Sequence, residues 1–297
     1  QGSSAPQEIA CMSSQHALKM KIAPWALLAV SASWGMAFVV MKDPIEKQGV
    51  NSFLFTRFLV AVIAMLALQP SVLQRITPEI LRKGFIAGLF LGAGYVLQTL
   101  GLAQAGAAIT GFITGLYVVA TPLIAALVLK VRITRFTWGC VALATAGLAL
   151  LSLNGWSLGF GEFLVFLCAI AFAAHIVTLG QWSKGLDVYA MTIVQLATCT
   201  LMTGTLSFAQ GYDLPINLSG WLVVFYTAIF ATALAFVVQT WSQAHMSATK
   251  VAVILTMEVV FAAIFALAFG GESLTVKALF GGLMVLTAMF MIVLKES

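Results

Sequence analysis

The stretch from Gly106 to Leu129 (GAAITGFITGLYVVATPLIAALVL) carries no charge over twenty-four residues, and it restricts the possible fold more than any other segment. At about 1.5 Å per residue, a helix of this length crosses a hydrocarbon core of roughly 30 Å with some tilt. Thr110, Thr114, Tyr117 and Thr121 follow one another at steps of four, three and four, so on a continuous helix they share an arc of roughly 60°. A polar stripe on a lipid-spanning helix is expected to turn towards other helices or a wet cavity. The plainer alternative is that each threonine hydroxyl bonds back to the preceding turn.

The remainder of the chain has the same character. Of its 297 residues, 61% are hydrophobic and 8% charged, where soluble domains carry about 25% charged residues. The expectation is an all-α, polytopic membrane protein, a single membrane domain with no soluble part. Ten apolar runs are candidate spans: 22–41, 50–69, 84–102, 106–129, 136–153, 160–181, 189–209, 219–241, 247–269 and 277–294. Residues 1–21 read as an expression-derived stretch (QGSSAPQEIAC, 1–11) followed by a cytoplasmic tail, with Met12 or Met20 as the natural start and no cleavable signal peptide.

With ten spans both termini lie on one side. Lys19, Lys21, Arg75, Arg82, Lys83, Lys130, Arg132, Arg135, Lys184, Lys250 and Lys295 fall on that side, Lys42, Lys47 and Lys277 on the other, and Arg57 inside a span. The positive-inside rule then puts both termini in the cytoplasm. The formal charge of +5 therefore belongs to loops and implies no nucleic-acid partner. Cys140, Cys168 and Cys199 fall in apolar runs and Cys11 in the tail, which suggests neither disulfide nor metal site. Three histidines leave no multi-histidine metal centre, and no cofactor is expected.

The chain also echoes itself. TWGCVALATAGLALL (137–151) resembles ALFGGLMVLTAMFMI (278–292), with Gly139 opposite Gly281, and ITRF (133–136) sits opposite TVKA (275–278). The hydropathy pattern repeats as five spans plus five, 22–153 and 154–297. Because five is odd, the second repeat enters the membrane inverted, the architecture of alternating-access transporters with a site where the halves meet.

Four motifs in order carry a resemblance to a known family. SWGMAFVVMK (33–42), TRFLVA (56–61), TGLYVVATPLIAALVL (114–129) and MEVVFAAIFALAFGGESLT (257–275), together with the repeat, are similar to the drug/metabolite transporter superfamily in its ten-helix EamA-type branch, over residues 22–294. Val259 stands where the family often has proline after the ninth-helix glutamate, and Lys130 where the fourth helix often ends in glutamate. The resemblance implies a secondary transporter, most often an exporter of small metabolites, amino acids or drugs. Its branch exporting aromatic and other hydrophobic amino acids supplies the substrate expectation.

Candidate substrate-binding residues are Trp34, Tyr95, Gln98, Thr110, Thr114, Tyr117, His175 and Gln239. Trp34 lies roughly 10 Å inside the first span, too deep for an interfacial belt. Tyr95, Gln98 and Thr99 share a face of the third span. His175 shares one with Thr178 and Trp182, and Gln239 is one turn from Gln243. Each of these side chains also has a purely structural reading, as packing or as an interhelical hydrogen bond. Arg57 and Glu258 are the charges well inside spans. Their depths differ by only about 4 Å, so they are candidates for a structural ion pair, or for coupling to protons.

Three classes of function remain. A transporter is favoured by the inverted repeat. A channel-like facilitator would need a pore-lining repeat or filter. A membrane enzyme would need a clustered nucleophile, base or metal set, and neither that nor a nucleotide-binding G-x-x-x-x-G-K-[ST] occurs. The partners expected are a small-molecule substrate and the lipid bilayer of a bacterial inner membrane, with the chain as monomer or homodimer.

Overall fold

The computed structural model describes residues 4–129, 134–154, 157–246, 251, 254–255 and 257–296. Lys130, Arg132 and Lys250, and much of the expected start of the ninth span, lie outside the described residues. The described residues are mostly helical, with a two-residue antiparallel pair, Leu153–Asn154 with Ser157–Leu158, where the two expected repeats join.

The helices are α1 (Ser4–Val40), α2 (Lys42–Gln48), α3 (Val50–Leu68), α4 (Pro78–Leu102), α5 (Ala107–Thr114), α6 (Tyr117–Leu129) and α7 (Arg135–Ser152) in the first half. In the second half they are α8 (Phe160–Trp182), α9 (Val188–Gln210), α10 (Leu218–Ala228), α11 (Ala235–His245), α12 (Met257–Ala268) and α13 (Val276–Glu296). Among the described residues, seven helical segments are long and apolar enough to cross a membrane. Three shorter apolar helices, Trp138–Gly147, Met257–Ala268 and Val276–Met291, stand where the fifth, ninth and tenth spans were expected. Large apolar side chains such as Leu68, Leu127, Leu201 and Phe280 cover the outside, a surface suited to hydrocarbon and costly in water.

Local chemistry sets several helix starts. Pro78 opens α4 behind Thr77, whose hydroxyl accepts the Ile80 N–H. Asp187 caps α9 through Ala190 N–H and also pairs with Arg75 at 2.6 Å. Asn217 caps α10 through Gly220 N–H. Such side chains satisfy N–H groups that a helix cannot bond internally.

Two expected spans are not simple helices. The fourth breaks at Gly115–Leu116, between α5 and α6, where Leu116, Val118 and Val119 donate to carbonyls only three residues back. Pro122, one turn on, has no N–H to give the Val118 carbonyl and crowds it. Gly115 adds a close approach, since a Cβ there would collide with Val259 Cγ2. The eighth span contains a π-helical segment, Ile229–Leu234, between α10 and α11.

The helices of the two halves interlock. α4 packs on α8 and α9, α3 on α9, α10 and the π segment, and α1 on α11 and α12. α5 packs on α8 and α12, α6 on α8, and α7 on α13.

At one end of this bundle Glu272 joins three segments. Its carboxylate accepts Ala107 N–H at 2.7 Å and Ala108 N–H at 3.2 Å, capping α5, and pairs with Lys42 at 3.2 Å. Gly271 makes the turn with φ +63, a left-handed conformation that glycine adopts without strain. Partial burial alone raises the carboxyl pKa, but the two backbone donors and Lys42 outweigh it, and the group is held below its ordinary 4.5. A carboxyl with a depressed folded-state pKa contributes stability above the unfolded value and loses it as the pH falls through the folded one. Thermal melts are therefore expected to show stability declining below about pH 4.5, and Glu272→Gln should flatten that decline. A Gln variant with the wild-type acid profile would assign the decline to other groups.

Candidate functional site

One cavity lies where the halves meet. Its wall is built from α1 (Trp34, Phe38), Met41 between α1 and α2, α4 (Tyr95, Gln98), the start of α6 (Tyr117), α8 (Phe172, His175), α11 (Phe236, Gln239) and α12 (Glu258), with Arg57 of α3 added. About 500 Å³ of space free of protein atoms, part of it open to solvent, lies among these residues. Only about 40 Å³ is wide enough for the centre of a water molecule, room for about three waters at 10–15 Å³ each. A solute the size of an aromatic amino acid must therefore part the walls to enter.

Eight of the ten residues singled out by sequence line this space: Trp34, Arg57, Tyr95, Gln98, Tyr117, His175, Gln239 and Glu258. Thr110 and Thr114 are buried between helices off the cavity, and Thr114 Oγ1 accepts from Gln98 Nε2 at 3.2 Å. Thr121 donates to the Tyr117 carbonyl at 2.6 Å. The continuous stripe expected on the fourth span is thus divided by the break at Gly115, and only its Tyr117 reaches the cavity.

Arg57 and Glu258 share the cavity without forming the expected pair. Among the described residues the ion pairs join other groups. Arg57, 1% exposed, donates Nε–H to Thr232 Oγ1 at 2.7 Å and the Nη2 N–H groups to the Ala231 carbonyl at 3.1 Å and the Tyr95 hydroxyl at 3.3 Å. Nη1 donates to Met41 Sδ at 3.2 Å, and the guanidinium lies 4.8 Å from the centre of the Tyr95 ring. Similar depth brought the two charges to one cavity, but the neutral acceptors of the π segment stand closer to the guanidinium.

The π segment explains this arrangement. A π turn shifts its backbone bonds from the fourth to the fifth residue and displaces carbonyls from the regular ladder. Ala231 O takes two external donors, Trp34 Nε1–H at 2.8 Å and Arg57 Nη2–H. Trp34 is fixed in the cavity wall by that bond and by the Phe236 ring at 5.5 Å.

Two amide relays set the polarity of the remaining polar groups. Gln243 Nε2 donates to the Ile176 carbonyl at 2.9 Å, so its Oε1 is the acceptor for Gln239 Nε2 at 3.3 Å. Gln239 Oε1 is left with no partner among the described residues. Gln195 Nε2 donates to the Met191 carbonyl at 3.2 Å, so its Oε1 faces His175 Nε2 at 2.7 Å as an acceptor. In neutral His175 this places the proton on Nε2 and leaves Nδ1 an acceptor.

This cavity of aromatic rings and a few buried polar groups, framed by helices of both halves, lies in a chain that matches one family model twice. The model, described as the EamA-like transporter family, covers residues 21–153 and again 159–294. The chain belongs to the EamA-like transporter family. An uncharacterized transporter of Archaeoglobus fulgidus is 30% identical over 280 residues, which make up 94% of this chain and 88% of that one. A solved crystal structure described only as that of a protein shares the fold, with TM-score 0.63 at 17% identity over 92% of this chain and 96% of that one. This EamA-like protein is an integral membrane transporter.

Several wall residues of the transporter escaped sequence reasoning. Phe38, Phe172 and Phe236 look like any other phenylalanine in an apolar run. Phe236 is 2% exposed whereas Phe230, six residues earlier, is 54% exposed. The signal available was adjacency, since Phe236 precedes Gln239 by one helical turn and Phe172 precedes His175 by the same interval.

Proposed function

We propose that this transporter exports small amphiphilic metabolites, aromatic and hydrophobic amino acids first among them, by alternating access of two inverted five-helix repeats around the cavity. The observation that carries the substrate reading is the wall itself. Trp34, Tyr95, Tyr117, Phe172 and Phe236 offer aromatic contact beside a few polar groups, the lining that suits an apolar body with a polar head. A phosphorylated solute would call for several free cations, whereas Arg57 is committed to its neighbours.

The helix pairings support the repeat. Exchanging each span with the one five places on turns the α1 contact with α12 into the α8 contact with α5 and α6. It turns the α3 contact with α10 into the α9 contact with α4, and returns α3–α9 and α7–α13 to themselves. That invariance, with the family model matching once per half, favours ten spans and an in-plane pseudo-twofold axis. The distribution of lysine and arginine favours both termini on the cytoplasmic side of an inner membrane.

The test is counterflow in proteoliposomes of purified protein. Uptake of labelled L-phenylalanine is expected to saturate, to be stimulated by internal unlabelled L-phenylalanine, and to fall at least tenfold in Tyr117→Ala while the protein stays folded. Conductance without saturation would make the protein a channel, and exchange of phosphate esters with no amino-acid flux would overturn the substrate class.

A further inference from the structure

The polar groups of the cavity are unequally committed. Its charged and ring N–H donors are bonded to the protein: Trp34 Nε1–H and an Arg57 N–H to Ala231 O, and Nε2–H of neutral His175 to Gln195, with one amide N–H of Gln239 on Gln243. Hydrogen bonds take four of the five Arg57 N–H groups. The acceptors are open. Gln239 Oε1 has no partner among the described residues, and neither has the Tyr117 hydroxyl, which serves in either role. Glu258, 5% exposed, forms no ion pair among the described residues. It lines the same cavity as Tyr95 and Tyr117.

A site whose charged and ring N–H donors are already bonded, and whose carboxyl and amide oxygens stand open, favours a ligand rich in donors, because an acceptor-only head would leave those oxygens unpaired. A buried carboxylate needs a cation or several hydrogen bonds to offset its desolvation. Electron-rich aromatic faces on the same wall attract an ammonium and not a carboxylate.

We propose that Glu258, with Gln239 Oε1 as second acceptor, forms an ammonium subsite, so that the transporter binds aryl-alkyl primary amines ahead of the corresponding carboxylates. The inference rests on the reading that solutes are bound in this cavity, and it narrows their class to compounds whose amino group is the essential head. An amino acid then binds through its ammonium group, while one uncommitted Arg57 N–H and neutral donors such as the Tyr117 hydroxyl remain for its carboxylate.

The experiment compares 2-phenylethylamine, 3-phenylpropionate and L-phenylalanine as ligands of the purified protein by concentration-dependent thermal shift. In the wild type the amine is expected to bind at least tenfold tighter than 3-phenylpropionate. Glu258→Gln should weaken amine binding by about tenfold or more and leave 3-phenylpropionate unchanged or improved, and Gln239→Leu should weaken the amine to a smaller extent. Trp34→Leu, which removes aromatic surface and leaves Glu258 and Gln239 in place, should weaken every aryl ligand, 3-phenylpropionate included. Equal or tighter binding of 3-phenylpropionate by the wild type overturns the ammonium subsite even if Glu258→Gln does not fold. Amine binding that survives Glu258→Gln but falls in Trp34→Leu overturns the subsite and leaves the cavity as the binding site. Binding that neither substitution changes overturns the cavity reading itself.

Discussion

Gly35→Leu is expected to yield little folded transporter, and Gly35→Ala to lose about 1–3 kcal/mol of stability by overpacking. A Cβ at Gly35 would stand 2.7 Å from Ala262 N, 2.9 Å from the Phe261 carbonyl carbon and 2.6 Å from Phe261 Cβ. Backbone and Cβ atoms of a helix cannot rotate away as the end of a flexible side chain does, so α1 and α12 would have to separate. Ala262 has no room to retreat, because from the other side a Cβ at Gly111 of α5 would meet Ala262 Cβ at 2.7 Å. Spans one, four and nine thus meet at a point of small residues, which is how helices without a hydrophobic driving force between them gain packing energy in a bilayer. Trp34 and Phe38 of α1 line the cavity on either side of this contact, so the same separation would distort the wall. Gly139→Leu is the control. Nothing lies within 4 Å of a Cβ there, and the substitution should leave stability within about 0.5 kcal/mol. Monodisperse yield and thermal melts of the three variants decide. A Gly35→Leu protein that folds and melts like the wild type would mean that the first and ninth spans are not so closely packed.

Much of this arrangement is legible in the chain because the physics of a bilayer is local. Uncharged runs of span length become helices, and costly polar side chains inside them are drawn together, which is why Trp34, Tyr95, Gln98, Tyr117, His175, Gln239, Arg57 and Glu258 reach one cavity. What stayed hidden depends on contacts far apart in sequence. Nothing in Ile229–Leu234 (IFATAL) distinguishes it from an α-helix. Its carbonyl partners, Trp34 and Arg57, lie 197 and 174 residues away. The break at Gly115 had a local signal in Gly115 and Pro122, but periodicity carried the polar stripe across it. Phe172 and Phe236 were hidden because hydrocarbon and protein core accept the same side chains, so composition does not tell which face of a span is buried.

Arg57→Met is expected to lower transport at least tenfold per folded molecule while changing stability by no more than about 2 kcal/mol in either direction. Opposing effects nearly cancel in the fold. Hydrogen bonds from a charged donor contribute about 1.5–3 kcal/mol each, and Arg57 makes them to Thr232, Ala231 and Tyr95. Against this stands the desolvation of a guanidinium without a carboxylate among its described partners, several kcal/mol in its own right. Methionine fills much of the volume without the charge, and the acceptors left behind are neutral. The loss falls on function because Arg57 joins the second span to the three elements that shape the wall: Met41 between α1 and α2, Tyr95 on α4 and the π segment. Without it Ala231 O keeps only the Trp34 donor, and the π segment, a conformation with poorer internal bonding than the α-helix, loses much of its external support. Arg57→Lys should not restore transport, since an ammonium cannot reproduce a planar fork directed at several helices and stacked on the Tyr95 ring. Melts and counterflow measured on the same preparations separate the roles. Folded Arg57→Met that transports as the wild type does would confine Arg57 to packing, whereas a variant that fails to fold, with Arg57→Lys restoring both fold and flux, would show that the charge alone matters and that its placement on the π segment does not.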